Sequence, residues 1–163
     1  MNIVQEYMNS KLPPLSTQKR FVYRTCENEI NVLFDELNFL IFDYKLPIPQ
    51  FKFIKRLVKF WGVCESTDHI PNIDSNNSDC IIHISEKWYC RQWLITHFAH
   101  EMVHQYQWDV ISKERVRKKL KPIMSHGPSF HQFRPRFEEL GMPLSGVGHS
   151  IANWWKYQDL FKC

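Results

Sequence analysis

The sequence predicts an α+β fold, rich in helix, with helices packed on a small and mostly antiparallel sheet. Three observations carry that expectation. Apolar and ring-bearing side chains recur at three- and four-residue spacing in two long stretches. One holds Ile30, Leu33, Phe34, Leu37 and Ile41, the other Trp93, Leu94, His97, Phe98, Val103 and Trp108, and that period marks one buried helix face. Between them, CIIHIS at 80–85 is short and β-branched, which suits a strand. No internal repeat or low-complexity tract interrupts the chain, so one domain is expected over residues 21–163.

Taken in order, residues 1–20 read as an N-terminal arm, because Pro13-Pro14 prevents a continuous helix there. An amphipathic helix is expected over 26–42, ended by Pro47 and Pro49. FKFIKRLVKFWGV at 51–63 suits a half-buried strand or a bent pair of strands. The polar stretch 65–79, with its Pro, Asn, Ser and Asp, reads as a surface loop. After the strand at 80–85, helical spacing runs from Lys87 to Trp108. Gly127-Pro128 looks like the start of a further helix that Gly141 would stop near Leu140. Residues 149–163 form an aromatic tail containing Trp154, Trp155 and Tyr157.

The 163 residues are 44% hydrophobic and 23% charged, the composition of an ordinary globular chain. Aromatics reach 15%, and large rings of this kind carry much of the burial in a small domain. The net charge of +4 permits an anionic partner without requiring one. Five cysteines without a CxxC pair argue against a disulfide framework or a zinc ribbon and suit a reducing compartment, with the thiols acting as small buried hydrophobes. The N-terminus has no continuous apolar run of the signal-peptide kind, and no stretch is long and apolar enough to span a membrane. A cytoplasmic setting is expected, or a nucleoid- or nucleus-associated one, or the host cytosol for a viral gene, and not secretion.

The chemistry is concentrated in His100-Glu101-Met102-Val103-His104. Residues i and i+4 of a helix lie one turn apart on one face, so both imidazoles can close on a single zinc. Glu101 follows the first ligand and points beside the metal, where it can move a proton between water and a leaving amine. A catalytic zinc usually takes a third protein ligand and keeps one position open. The metzincin continuation is excluded, because Gln107 and Val110 stand where Gly and His are required. Glu138 and Glu139 are candidate third ligands, but His126 is preferred, since it precedes Gly127-Pro128 and would project from a turn at the mouth of a helix.

The pair of motifs, HEMVH at 100–104 and HGPSF at 126–130, resembles the SprT-like zinc metalloproteases, which include the Spartan proteases that cut proteins crosslinked to DNA. The resemblance covers roughly residues 25–141. It implies a zincin-like domain whose active-site helix carries HExxH, one catalytic Zn2+ held by His100, His104 and His126, Glu101 as the catalytic base, and Phe130 as a packing residue anchoring the His126 turn. It also implies a protein substrate, with DNA as a further partner. The cysteine zinc ribbon common in bacterial members and a Spartan-like DNA-binding subdomain have no counterpart here.

Two sequence features bear on DNA. Lys113, Arg115, Arg117, Lys118, Lys119 and Lys121 form a basic run over 113–121, which reads either as a phosphate-contacting patch or as a solvated helix end. Trp154-Trp155-Lys156-Tyr157 could stack on single-stranded bases or pack back on the core. Further expectations concern the active site. The strand at 80–85, as a sheet edge above the zinc, would hold an extended substrate by strand addition. His149, Tyr106 or a backbone amide would steady the developing oxyanion. His97 would be a partly buried structural residue or a group behind the ligands. Three functions compete: a zinc endopeptidase acting on DNA-associated proteins, a zinc peptidase without a nucleic-acid role such as viral protein processing, and a non-catalytic zinc-stabilised DNA-binding protein.

Overall fold

In the computed structural model, residues 3–9, 23–55 and 60–145 are described here; the aromatic tail, His149 and Pro13-Pro14 lie outside them. The described residues begin, inside the expected arm, with a helix, α1 (Ile3–Asn9). Its first two amides, those of Ile3 and Val4, donate to the two carboxylate oxygens of Glu36 at 2.9 and 2.8 Å, which caps the otherwise unsatisfied N-terminal N–H groups. Val4 is fully buried, so this part of the arm is docked into the core.

A two-residue strand, β1 (Tyr23–Arg24), leads into α2 (Glu27–Phe42), which buries Ile30, Leu33, Phe34, Leu37 and Ile41 along one face. The helix does not wait for Pro47 to end it. Asp43 and Tyr44 both take positive φ, 54° and 57°, and the Tyr44 amide returns to the Asn38 carbonyl, a left-handed C-terminal cap. The buried Asn38 side chain then binds both the N–H and the C=O of Leu46, which fixes the chain that leaves the helix.

The stretch 51–63 contains two strands, β2 (Gln50–Ile54) and β3 (Gly62–Ser66), the second running two residues into the expected loop at 65–79. They do not pair with each other. The sheet order is β2, β4, β3, with β4 (Cys80–Ser85) in the middle, parallel to β2 and antiparallel to β3. Two expectations are thereby corrected. The main sheet is mixed, not mostly antiparallel, and the strand at 80–85 is central, with both backbone edges already paired. Its Cys80, Ile82 and Ile84 are buried, which is why so apolar a strand sits inside the sheet. Among the described residues β2 and β3 are the two outer strands of this sheet.

After β4, Lys87–Trp88 forms β5 against β1, so α3 starts later than the spacing suggests, at Arg91, and runs to Tyr106. Cys90 caps it by accepting the Trp93 amide. Helical structure continues beyond Trp108, first as a π-helical segment, Gln107–Ser112, then as α4 (Lys113–Arg117). The expected C-terminal helix is broken into α5 (Pro128–His131) and α6 (Arg134–Glu139). Pro135 is the reason, since it has no N–H to continue the ladder and its ring clashes with the preceding turn. Gly141 ends α6 at φ +71°, as the glycine signal requires.

The core between α2, α3 and the sheet is aromatic. Trp61 stacks on Trp88 with centroids 5.1 Å apart and meets Trp93 edge-on, while Phe51 bridges Phe34 and Phe98. Gly62 allows β3 to pass close over this layer: a Cβ there would lie 2.6 Å from the His83 carbonyl oxygen and 3.2 Å from His97 Nε2. Cys64, Cys80 and Cys90 are buried thiols, whereas Cys26 is exposed, against the expectation for that residue. Among the described residues no helix is long and apolar enough to cross a membrane.

Candidate metal centre

His100 and His104 lie one turn apart on α3 and are both buried. His126 arrives from the segment between α4 and α5, on the solvent side. The three Nε2 atoms form a nearly equilateral triangle: 3.2 Å from His100 to His104, 3.1 Å from His104 to His126 and 3.2 Å from His126 to His100. Among the described residues these three are the group close enough to hold a metal ion. Glu138 and Glu139, the other candidates for a third ligand, are exposed on α6.

The donor set fits a metal. Nitrogens arranged tetrahedrally at zinc–nitrogen distances of about 2.0–2.1 Å lie roughly 3.3–3.4 Å apart, close to the observed triangle. The hydrogen bonds behind the ring fix the tautomer of His104. Gln107 Nε2 donates to the Ser125 carbonyl at 2.7 Å, so its Oε1 is the atom 3.0 Å from His104 Nδ1. A carbonyl oxygen only accepts, hence Nδ1 carries the proton and Nε2 presents a lone pair to its two neighbours. Burial, and next the adjacent His104, hold His126 below the usual histidine range, which favours the neutral, ligating form.

Phe130 is the floor of the site. It is fully buried, and its ring centroid lies 4.6, 5.0 and 4.7 Å from those of His100, His104 and His126. Gly127, by contrast, is not needed for a special backbone. Its φ is −85°, and an added Cβ would make only ordinary contact with Ser125 Oγ at 3.6 Å.

Glu101 is buried and held from two sides. Its Oε2 accepts the Cys64 amide of β3 at 2.8 Å, and its Oε1 lies 3.2 Å from His97 Nε2. His97 is therefore more than a partly buried packing residue: it is 1% exposed and touches the carboxylate expected to act as base. Burial and the contact of its thiol with Cys80 push Cys64 well above the ordinary thiol range, the Cys80 contact contributing most, so it stays a neutral thiol beside Glu101.

Tyr106 stands two residues beyond His104 and so roughly opposite the ligand face; its ring packs against Phe42 and Phe133, away from the role of oxyanion donor. The basic run is largely committed within the molecule. Lys113 is buried and donates to the Ser75 and Asn77 carbonyls, Arg115 to the Lys121 carbonyl, Arg117 to the Ile73 carbonyl, and Lys118 to Glu114.

Gln107 is the site residue that motif reading passes over, used there only to exclude a metzincin. Its one sequence signal is position, three residues beyond a ligand on the same helix face. No protein-family model matches the sequence, and no curated protein matches it.

Proposed function

We propose that the chain is a zinc-dependent endopeptidase, with His100, His104 and His126 as metal ligands and Glu101 as general base. The convergence of three imidazole nitrogens within 3.1–3.2 Å of one another, on the helix that also carries a buried glutamate, is the observation that carries the proposal. His100, His104 and His126 would hold the zinc, which would supply Lewis acidity to a water and to a peptide carbonyl. Glu101 accepts the proton of the attacking water and returns it to the leaving amine. The Cys64 amide and His97 keep its carboxylate in place for that transfer. His104 is kept in the ligating tautomer by Gln107, and Phe130 excludes water from beneath the imidazoles.

An extended substrate is better served by β3 than by the central strand. β3 is an edge strand, and its Cys64 amide touches Glu101, so a peptide added along it runs beside the base. An open cavity of about 560 Å³ lies at its far end, lined by Glu65, Ser66, Thr67, Asp68, His69 and Met124, where a substrate side chain can be received.

DNA-associated proteins are the substrates that the motif pair implies. A peptidase without a nucleic-acid role is the second reading, favoured by the internal hydrogen bonds of Lys113, Arg115 and Arg117. A purely structural zinc is disfavoured, because such a site needs no base beside its ligands and usually prefers cysteine-rich coordination.

The test is cleavage of a DNA-binding protein, with and without single-stranded DNA, by wild type and by zinc-loaded Glu101→Gln. The expected outcome is cutting by wild type and a loss of about 10²–10⁴-fold in the variant at unchanged zinc content. Stimulation by DNA supports the DNA-associated substrate, and equal cutting without DNA supports the second reading. A Glu101→Gln protein that cuts like wild type sinks the mechanism.

A further inference from the structure

The six residues after α3 depart from α-helical geometry at a place where neither proline nor glycine forces it. The departure has a geometric consequence. In an α-helix, side chains five residues apart point roughly 140° away from each other, whereas the i→i+5 bonding of a π-turn brings them toward one face. Here the residues five apart are Gln107 and Ser112, and both bind the segment that delivers the third histidine. Ser112 Oγ donates to the Ile123 carbonyl at 3.0 Å and accepts the Ile123 amide at 2.8 Å. Gln107 treats Ser125 in the same reciprocal way, accepting its amide at 3.2 Å and donating to its carbonyl at 2.7 Å. Gln107 Nε2 also donates to Ser129 Oγ at 2.7 Å, and Oε1 also accepts from His104 Nδ1.

We infer that Gln107 is the positioning residue of the metal centre, a side chain that orients His104 on the helix and holds the His126 segment against it, with the π-turn and Ser112 as its second anchor. The inference rests on the metal-centre reading above. Gln107 is fully buried and uses every part of its amide in these bonds, so its orientation cannot change without leaving buried polar groups unmet. Gln107 ties helix and segment together directly behind the imidazole of His104, and so presets the distance between His104 and His126.

Zinc affinity by competition with a chromophoric chelator, and the visible absorption of the cobalt(II)-substituted protein, test this in wild type, Gln107→Leu and Gln107→Glu. Leucine removes all four hydrogen bonds. Glutamate keeps an acceptor for His104 and the Ser125 amide but sets a carboxylate oxygen against the Ser125 carbonyl. Both variants are expected to bind zinc about 10- to 100-fold more weakly, with displaced cobalt bands. A folded variant with zinc affinity within about two-fold of wild type and unchanged bands overturns the inference, even if its Tm has fallen, because a merely structural role moves Tm alone. Should Gln107→Leu fail to fold, Gln107→Glu decides by the same criterion. Wild type that takes up no zinc overturns the metal-centre reading itself and is seen before any variant is compared. Turnover does not enter, so a failure of the peptidase reading is separately visible.

Discussion

Phe130 lies beneath the candidate metal centre, an apolar residue in contact with all three imidazoles. Three imidazoles held in a 3.1–3.2 Å triangle need a rigid support, and the buried phenyl ring contacts all of them. Phe130→Ala is expected to cost ~3–5 kcal/mol of stability, read as a fall in Tm, and to weaken zinc binding as the ligands lose their floor. Unchanged zinc affinity in the folded variant would contradict the supporting role. At this scale the clustering of His100, His104 and His126 was legible because HExxH has a fixed helical geometry, and HGPSF supplied the third histidine through its resemblance to a known pattern. Gln107, behind them, was not. Gln107 meets Ser125 across 18 positions, and contacts between a helix and a distant loop leave no periodic trace in a sequence; His97, one turn before Glu101 on the same helix, was within reach of helical spacing as a group behind the ligands.

The elements divide along the same line. Helix α2, strand β4 and the body of α3 follow from apolar spacing, since each buries one continuous face or lies wholly inside. Their ends are set by interactions that spacing does not encode, such as the left-handed Asp43 and Tyr44 or the pairing of Lys87–Trp88 with β1. The last helix was expected from its Gly127-Pro128 start and Gly141 stop, signals that leave out the break Pro135 makes between them. The place of β4 in the sheet could not be read, because a short β-branched run suits an edge or a centre until its partners are known.

The basic run teaches a related lesson. Like charges in sequence look like a patch, yet Lys113 and Arg117 turn back to hold the carbonyls of 73–77. Lys113→Met is expected to destabilise the fold by ~1–3 kcal/mol, through loss of the charge-assisted hydrogen bonds from its buried ammonium to the Ser75 and Asn77 carbonyls, and to leave the salt dependence of any DNA binding unchanged. Lys119→Ala and Lys121→Ala, at the end of the run, should each reduce the slope of log affinity against log salt by about one if DNA is bound there. A slope lowered by Lys113→Met and untouched by the other two would reverse that assignment.

For the whole molecule, the α+β class follows from patterning, while the arrangement that makes a site depends on three distant pieces meeting. Helix α3 brings two histidines and a glutamate, β3 brings an amide to that glutamate, and the segment after α4 brings His126, fastened at Ile123 and Ser125 by the π-turn. The fold thus places three imidazoles close enough to hold a metal ion, a carboxylate bound by the β3 backbone and an outer strand of the sheet side by side. The most direct test is a zinc titration by chelator competition on wild type and on His100→Ala, His104→Ala and His126→Ala. The account predicts one zinc per wild-type chain and an affinity lower by at least about 100-fold in each variant. Zinc bound as tightly by His126→Ala as by wild type, or not bound by wild type at all, would contradict it.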